Sequence, residues 1–279
     1  MDALLANEPV IRLAAFAGVL ALMAGLEAML PRRARSFGRL RRWPGNLGIV
    51  FVDTLVLRLV FPTAAVGVAL AAEGHGVGLL PWLGLPAPLA LLLAILLLDL
   101  AIYLQHVLFH AVPALWRLHR MHHADLDFDV TTGLRFHPAE IILSMVIKFA
   151  VVVALGAPAV AVLIFEVLLN ATSMFNHANL RLPQALDRAL RPILVTPDMH
   201  RVHHSVGPQE TNSNFGFNLA LWDRLFGTYR AQPAAGHAAM TIGIEQFRDA
   251  SELRLDRMLT QPLRDDISAY PLGRREPAP

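Results

Sequence analysis

The sequence of 279 residues contains no cysteine and carries little charge. Without cysteine the chain has neither disulfides nor thiolate metal sites, so any metal ion must bind through nitrogen and oxygen atoms. Charged residues make up only 16% of the chain and hydrophobic residues 55%, a balance too apolar for an ordinary soluble domain of this length. The composition therefore predicts a membrane protein.

Lysine is nearly absent: Lys148 is the only lysine among the 24 lysine and arginine residues. Six arginines lie together in the short connection between the first two apolar stretches, whereas residues 73–88 contain no lysine or arginine. The six are Arg32, Arg33, Arg35, Arg39, Arg41 and Arg42. By the positive-inside rule, the arginine-rich connection is expected on the cytoplasmic side. Its position beside apolar stretches favours contact with anionic lipids and argues against nucleic acid as a partner.

Four apolar stretches are long enough to enter or cross a bilayer. They cover residues 9–30, 46–72, 89–109 and 141–175. The last stretch is interrupted by Gly156, Ala157 and Pro158. It therefore has two arms of about 16 residues, each about 24 Å long as a helix. Such arms predict either a tight transmembrane hairpin or a re-entrant one.

The predicted fold is an all-α integral membrane protein with about four to five transmembrane helices and a cytoplasmic, histidine-rich helical cap. Residues 1–88 would form N-terminal transmembrane helices and loops, residues 89–230 the domain that carries the chemistry, and residues 231–279 a C-terminal cytoplasmic tail. Within that tail, Asp249 is expected to begin a short helix that folds back on the cap. Beyond Arg264 the scarcity of apolar residues predicts disorder.

The most specific pattern is a five-residue frame that occurs twice, as HRMHH at residues 119–123 and as HRVHH at residues 200–204. On a helix, positions i, i+3 and i+4 share one face, so the three histidines of each frame can point at one place. His106 and His110 are also i and i+4. Eight imidazoles from three segments exceed what one tetrahedral zinc ion can use, and two metal ions are the simplest explanation. Imidazole suits iron, zinc, copper and nickel alike, so these ligands do not name the metal.

The order of these histidines around membrane spans resembles the fatty acid hydroxylase and sterol desaturase superfamily. The stretch 196–230, TPDMHRVHHSVGPQETNSNFGFNLALWDRLFGTYR, resembles its bacterial sterol-desaturase-like branch, and the resemblance covers roughly residues 89–259. It implies a non-haem di-iron centre that uses O₂ to hydroxylate or desaturate a C–H bond of a lipid. The metal ligands it implies are His106, His110, His119, His122, His123, His200, His203 and His204, with His137 in RFHP and His177 in FNHANL added.

The same resemblance implies the partners and the location. The lipid substrate would come from the bilayer, and fatty acyl, sterol, carotenoid and ether lipids all remain open, as does the choice between hydroxylation and desaturation. No haem-binding or flavin domain is evident, so electrons would come from a separate ferredoxin or from a cytochrome b5-like protein with its reductase. The expected location is a bacterial inner membrane, with the active site on the cytoplasmic side.

Four polar residues are candidates for orienting a ligand imidazole. Asp99 lies seven residues before His106, and Glu166 and Asn170 lie eleven and seven residues before His177. Charged and polar side chains are costly inside spans and usually functional, and each ligand imidazole needs its second nitrogen held by a partner. Asn214, in the stretch TNSNFG, is a candidate for a water-mediated metal contact.

The histidine pattern argues against two other classes of protein. A histidine-rich membrane protein that binds or transports metal would place its ligands along a path through the middle of the membrane, whereas these histidines cluster at one face. A zinc hydrolase of the common type needs an HExxH motif, and the sequence has none. The transporter remains the alternative hypothesis.

Overall fold

The computed structural model describes residues 2–264 and 270–272, and its regular structure is helical throughout those ranges. Fifteen α-helices are defined there. They are α1 (Asp2–Ala6), α2 (Glu8–Met29), α3 (Arg39–Val60), α4 (Ala65–Gly74), α5 (Leu79–Trp82), α6 (Ala87–Ala111), α7 (Pro113–His123), α8 (Pro138–Leu155), α9 (Ala159–Asn176), α10 (Gln184–Leu190), α11 (Pro197–His203), α12 (Pro208–Thr211), α13 (Leu221–Leu225), α14 (Gly236–Ala239) and α15 (Leu255–Thr260). Short 3₁₀ turns occur at Thr132–Leu134, Ala250–Leu253 and Gln261–Leu263.

Five segments are long and apolar enough to cross a membrane, which confirms the predicted all-α membrane fold. They are Glu8–Met29, Arg39–Trp82, Ala87–Ala111, Pro138–Leu155 and Ala159–Asn176. The second span differs from the predicted 46–72, because its first helix begins at Arg39 and ends at Val60. Phe61 is extended, with φ −114° and ψ 124°, as is usual for a residue that precedes a proline. Pro62 therefore separates α3 from α4.

The α8–α9 hairpin packs against α4 and α6. Gly156 closes α8 in the left-handed conformation, at φ 59°, and a Cβ atom there would lie 2.4 Å from the carbonyl oxygen of Val77. The tip of the hairpin therefore packs against the connection that joins α4 to α6. Each arm has 18 residues, about 27 Å of helix. This end of the bundle is called the hairpin end below, and the opposite one the histidine end.

The apolar core fills the space between α4, α6, α8 and α9. Small residues such as Ala65, Ala69 and Ala161 are fully buried there, which lets the helices approach closely. Leu98 and Phe165 fill the remaining space between α6 and α9. Most of α2, in contrast, faces outwards, because only 6% of an apolar 18-residue stretch of this helix is buried inside the protein. The four core helices thus form the rigid support for the histidine end.

A buried ion-pair network fixes the loop that follows α7. Arg42, in the first turns of α3, donates two hydrogen bonds to Asp125, at 2.9 and 2.7 Å, and one to Asp129 at 2.6 Å. The side chains of these three residues are fully buried. Positive charge on Arg42 lowers the pKa of Asp125, which keeps that carboxylate ionised. An arginine that the sequence placed in a topology-determining loop is therefore a structural residue.

The predicted C-terminal tail is largely packed against the histidine-bearing helices. Met258 on α15 contacts Ile49 and Met121, as expected for a helix that folds back on the cap. Tyr270 is fully buried and stacks on Trp116, with ring centroids 5.4 Å apart. Most of the segment predicted to be disordered, residues 265–269 and 273–279, lies outside the described residues.

Breaking the Arg42 network should destabilise the protein strongly. Arg42→Leu leaves two buried carboxylates without their cation and should lower the free energy of unfolding by about 3–5 kcal/mol, measured by denaturant titration in detergent. Arg41→Leu, at the exposed neighbouring position, should change it by no more than about 0.5 kcal/mol. Equal effects of the two substitutions would show that the network contributes little.

Candidate metal centre

Nine histidines meet at the histidine end, and none of them is more than 3% exposed. They come from the end of α6, from α7, from the turn after α9 and from α11. The nine are His106, His110, His119, His122, His123, His177, His200, His203 and His204. The structure thus brings the six histidines of the two repeated frames together with His106 and His110, and it adds His177, as the resemblance implied.

These histidines form two groups, each of which could hold a metal ion. The first group contains His106, His110, His119, His123 and His203. The second contains His122, His177, His200 and His204. Within each group, one ligand atom of every residue lies within 4.8 Å of those of the others.

The two repeated frames each contribute to both groups. The i and i+4 residues of the first frame, His119 and His123, belong to the first group, and its i+3 residue, His122, belongs to the second. The other frame does the reverse, because only its i+3 residue, His203, belongs to the first group. The expectation that each frame points at a single place is therefore wrong in detail, although two ions still account for the ligands.

In the second group the ring nitrogens have the spacing of ligands to one ion. The Nε2 atom of His177 lies 3.2 Å from that of His122 and 3.1 Å from those of His200 and His204. Two ligands that each lie about 2.1 Å from an ion are separated by about 3.0–3.4 Å. The spacing therefore fits a metal ion among the four rings.

Hydrogen bonds to backbone carbonyls fix the protonation of these rings. The Nδ1 atom of His177 lies 2.7 Å from the Ser173 carbonyl, and that of His122 lies 3.2 Å from the Arg135 carbonyl. A carbonyl oxygen only accepts, so Nδ1 must donate and Nε2 must carry the lone pair. The lone pairs of two neutral rings consequently face each other at 3.2 Å, an arrangement that a cation between them stabilises.

Hydrogen bonds from Nδ1 also orient three rings of the first group. His106 and His203 donate from Nδ1 to the carbonyls of Phe215 and Ser213, each at 2.7 Å. His110 donates from Nδ1 to the side-chain oxygen of Asn212 at 3.1 Å, and the Asn212 amide donates at 2.7 Å to the carbonyl of Tyr270. In all three histidines Nε2 is buried and has no hydrogen-bond partner. Buried nitrogen lone pairs without partners are suited to metal binding.

A carboxyl group that was not predicted from the sequence orients a fourth histidine of the first group, His119. Glu140, in the first turn of α8, accepts from Nδ1 of His119 at 2.6 Å, and its side chain is only 4% exposed. A carboxylate partner fixes the ring and makes its other nitrogen a stronger ligand. The sequence held one indication of this role, because Glu140 is an acidic residue at the start of an apolar span, three residues after His137.

Burial keeps these imidazoles neutral. Removal from water lowers the pKa of His119 and of His177 to about 3, and it lowers the pKa of His123, His200 and His204 well below the ordinary value of 6.5. A neutral ring has a lone pair to offer, so no proton has to be displaced from these residues at neutral pH.

Aromatic rings surround both groups and separate them from water. Phe136 stacks on His122, with centroids 4.5 Å apart and planes 9° from parallel. Phe217 lies 5.0 Å from His106 and 5.8 Å from His200. Trp116 lies 4.8 Å from His110. This apolar lining suits a site whose substrate is apolar and whose chemistry must exclude water.

Two residues were predicted to interact with metal, His137 as a ligand and Asn214 through a water molecule, and both have other partners. His137 caps the N-terminus of α8: its Nδ1 atom accepts from the Ala139 amide at 3.2 Å, and its Nε2 atom lies 3.2 Å from the Leu259 carbonyl. Asn214, at φ 52°, donates at 2.8 Å to the carbonyls of Met199 and Arg230. The structure therefore does not bring His137 into either group, and it gives Asn214 a role in holding the chain around α11.

The three polar residues of the spans also have other partners. Asp99 accepts hydrogen bonds from Asn218 and Trp222, both at 2.8 Å. Glu166 pairs with Lys148 at 2.7 Å and with Arg12, and the Asn170 amide donates to the Glu166 carbonyl at 2.9 Å. None of these contacts involves a ligand imidazole. The helical spacing predicted that each of these residues would face a clustered histidine. Other parts of the chain contact them instead.

Comparisons with known proteins identify the domain. A sequence model of the fatty acid hydroxylase family matches residues 91–228. The chain is 30% identical to ornithine lipid hydroxylase OlsE of Rhizobium tropici over 62% of its own length and 51% of that protein. It is 28% identical to the human alkylglycerol monooxygenase over 60% of its length and 36% of the relative. It is 26% identical to the cholesterol 25-hydroxylase of Rattus norvegicus over 58% of its own length and 53% of that protein.

The chain thus spans about half the length, or less, of these relatives. No solved structure matches it. The family match covers the segments that carry all nine clustered histidines. Through residues 91–228, the chain belongs to the fatty acid hydroxylase superfamily.

Proposed function

We propose that this protein is a membrane-bound, O₂-dependent lipid hydroxylase with a non-haem di-iron centre. The observation that carries the proposal is the pair of buried histidine groups at one end of a bundle of membrane-length helices. The family match supports the same activity, because the relatives are named as hydroxylases and monooxygenases. A metal transporter is disfavoured because all nine clustered histidines lie at one end of the bundle.

The chemistry narrows the metals that imidazole can bind to those that are redox-active, and the resemblance to the fatty acid hydroxylases favours iron among them. Histidine nitrogens alone suit zinc, copper, nickel and iron, but oxidation of a C–H bond requires a redox-active metal with an open position. Two iron ions bound to the two groups would supply the activation of O₂. Neutral ligands such as these leave the charge of both ions uncompensated, which favours acceptance of electrons.

The residues of the chain orient the ligands and keep the site dry. Backbone carbonyls of Ser173, Ser213 and Phe215 hold the rings of His177, His203 and His106 so that their lone pairs face inwards. The Glu140 carboxylate does the same for His119. Because these partners are fixed before any ion binds, little reorganisation is needed when the site is filled.

Hydroxylation is the reaction favoured over desaturation, and a lipid is the expected substrate. The relatives are named for ornithine lipid, alkylglycerol and cholesterol. The overall reaction would convert R–H, O₂, two electrons and two protons into R–OH and water. A separate ferredoxin or cytochrome b5-like protein would supply the electrons. Six arginines near the histidine end favour a cytoplasmic site in a bacterial inner membrane.

Removing one histidine from either frame should affect one ion more than the other. His122→Ala removes a ligand of the second group, and His203→Ala removes one of the first. Each variant should therefore retain about one of two irons per chain, measured as metal content per mole of purified protein. His137→Ala is the matched control, since its ring contacts the Leu259 carbonyl, and should retain both ions. Full iron content in His122→Ala would contradict the assignment.

Glu140 should tune the affinity of the first group for metal. Glu140→Gln keeps the shape of the side chain but removes the negative charge beside His119, and should weaken metal binding about 10 to 100-fold, measured by competition with a chelator. Glu245→Gln, at an exposed position, is the control and should bind metal as the unsubstituted protein does. Unchanged affinity in Glu140→Gln would mean that the carboxylate serves only packing.

The activity itself is tested by isotope labelling. Membranes that contain the protein, supplied with a lipid extract, a reductant system and ¹⁸O₂, should yield a lipid that carries one labelled hydroxyl oxygen, detected by mass spectrometry. His203→Ala membranes should yield none, and His137→Ala membranes should yield the product. A labelled product of equal amount in His203→Ala membranes would exclude the proposed site, and an unsaturated product without label would show desaturation instead.

A further inference from the structure

The segment between α11 and residue 229, together with the turn before α11, exposes an apolar surface. Ile193, Leu221, Leu225 and Phe226 are 63%, 48%, 65% and 51% exposed, and they are called the apolar patch below. Leu221 and Leu225 are i and i+4 on α13 and share one face. Ile193 lies beside them, because its carbonyl accepts from the Ala220 amide at 2.8 Å. The sequence placed these residues in an aqueous cap, where such a patch would face water.

The contacts of α13 place it beside the middle of a span. Trp222 donates to Asp99 at 2.8 Å, and the ring of Phe226 stacks on Tyr103 with centroids 5.3 Å apart. Asp99 and Tyr103 precede the end of α6 at Ala111 by about 18 and about 12 Å of helix. The helix α13 therefore lies at the depth of the membrane-spanning part of α6.

We propose that the apolar patch is immersed in the lipid acyl chains of the leaflet at the histidine end, so that α13 is inserted into the membrane. Exposed leucines also occur on two membrane-length helices, since Leu104 on α6 and Leu168 on α9 are 49% and 43% exposed. An exposed apolar surface on a segment that packs against a membrane-spanning helix takes lipid as its natural partner.

The exposed charged residue of this helix is held by protein groups. The guanidinium of Arg224 lies 4.1 Å from the centroid of the Tyr229 ring, and its Nη2 atom donates at 3.1 Å to the Arg191 carbonyl. The aliphatic part of an arginine can stay in an apolar region while its charged group is held elsewhere. The other charged residue of α13, Asp223, is fully buried and accepts from the backbone amides of Phe215 and Gly216.

The inner side of the same segment lines the metal centre. Phe215 and Phe217 lie 5.4 and 5.0 Å from the ring of His106. The segment thus has the histidine groups on one side and, under this proposal, lipid on the other. A lipid substrate would need to cross only this one layer of chain to reach the site.

The absence of cysteine makes the test direct. Leu225→Cys and Ile193→Cys each introduce a single thiol into the full-length protein, which is labelled with a nitroxide and reconstituted in phosphatidylethanolamine–phosphatidylglycerol vesicles. Collision with O₂, which concentrates in the bilayer, is compared with collision with a water-soluble nickel chelate. Leu92→Cys, 52% exposed on α6, is the lipid reference, and Ala239→Cys, exposed on α14, is the water reference.

The ratio of O₂ to nickel collisions at Leu225 and Ile193 should exceed the ratio at Ala239 by a factor close to that found at Leu92. A ratio equal to that at Ala239 would overturn the proposal and place the patch in water. Protection from both probes would also overturn it, because it would show that another protein chain covers the patch. The metal content of each labelled variant, compared with the unsubstituted protein, verifies that the fold is intact.

Discussion

Nine neutral imidazoles direct nitrogen lone pairs into one buried region, and this arrangement imposes the main constraint on the structure. The Nε2 lone pairs of His122 and His177, 3.2 Å apart, repel one another unless a cation lies between them, and burial lowers the pKa of His177 so that its ring does not take up a proton instead. The chain must therefore hold the rings in place against that repulsion. Fixed carbonyls, one carboxylate and an apolar core perform this task, and much of the architecture at the histidine end serves it.

The supports of the site come from parts of the chain that are far apart in sequence. Arg42 on α3 anchors the loop after α7, and in the same network Arg135 donates to the Met121 carbonyl within the first frame at 2.8 Å. The Arg135 carbonyl in turn accepts a hydrogen bond from Nδ1 of His122. From the other direction, the carbonyl of Tyr270 fixes the amide of Asn212 beside His110. A substitution at any of these positions would change the geometry of the two histidine groups, although none of these residues belongs to either group.

The sequence was sufficient to predict the spans and most of the histidines that meet at the histidine end, because hydrophobic length and histidine spacing are local properties. Partners of the ligands were not predictable in the same way. Most are backbone carbonyls, which every residue possesses, so composition gives no signal for them. Asp99 and Glu166 illustrate the limit: each was expected to orient a clustered histidine, but residues such as Trp222 and Lys148 contact them instead. For His137, the following proline begins α8 and commits the ring to capping that helix.

Under the proposed function, the crossing of the two frames has a consequence for how the two groups are filled with metal. Because α7 and α11 each provide ligands to both groups, an ion bound in one group restrains the helices that form the other. Binding of the first ion would then reduce the ordering cost of the second, which is positive cooperativity between the two ions. Under limiting metal supply, such a protein divides into empty and fully loaded molecules, with few half-loaded ones. A single reactive ion with an incomplete partner, which could reduce O₂ without a productive outcome, would accordingly be rare.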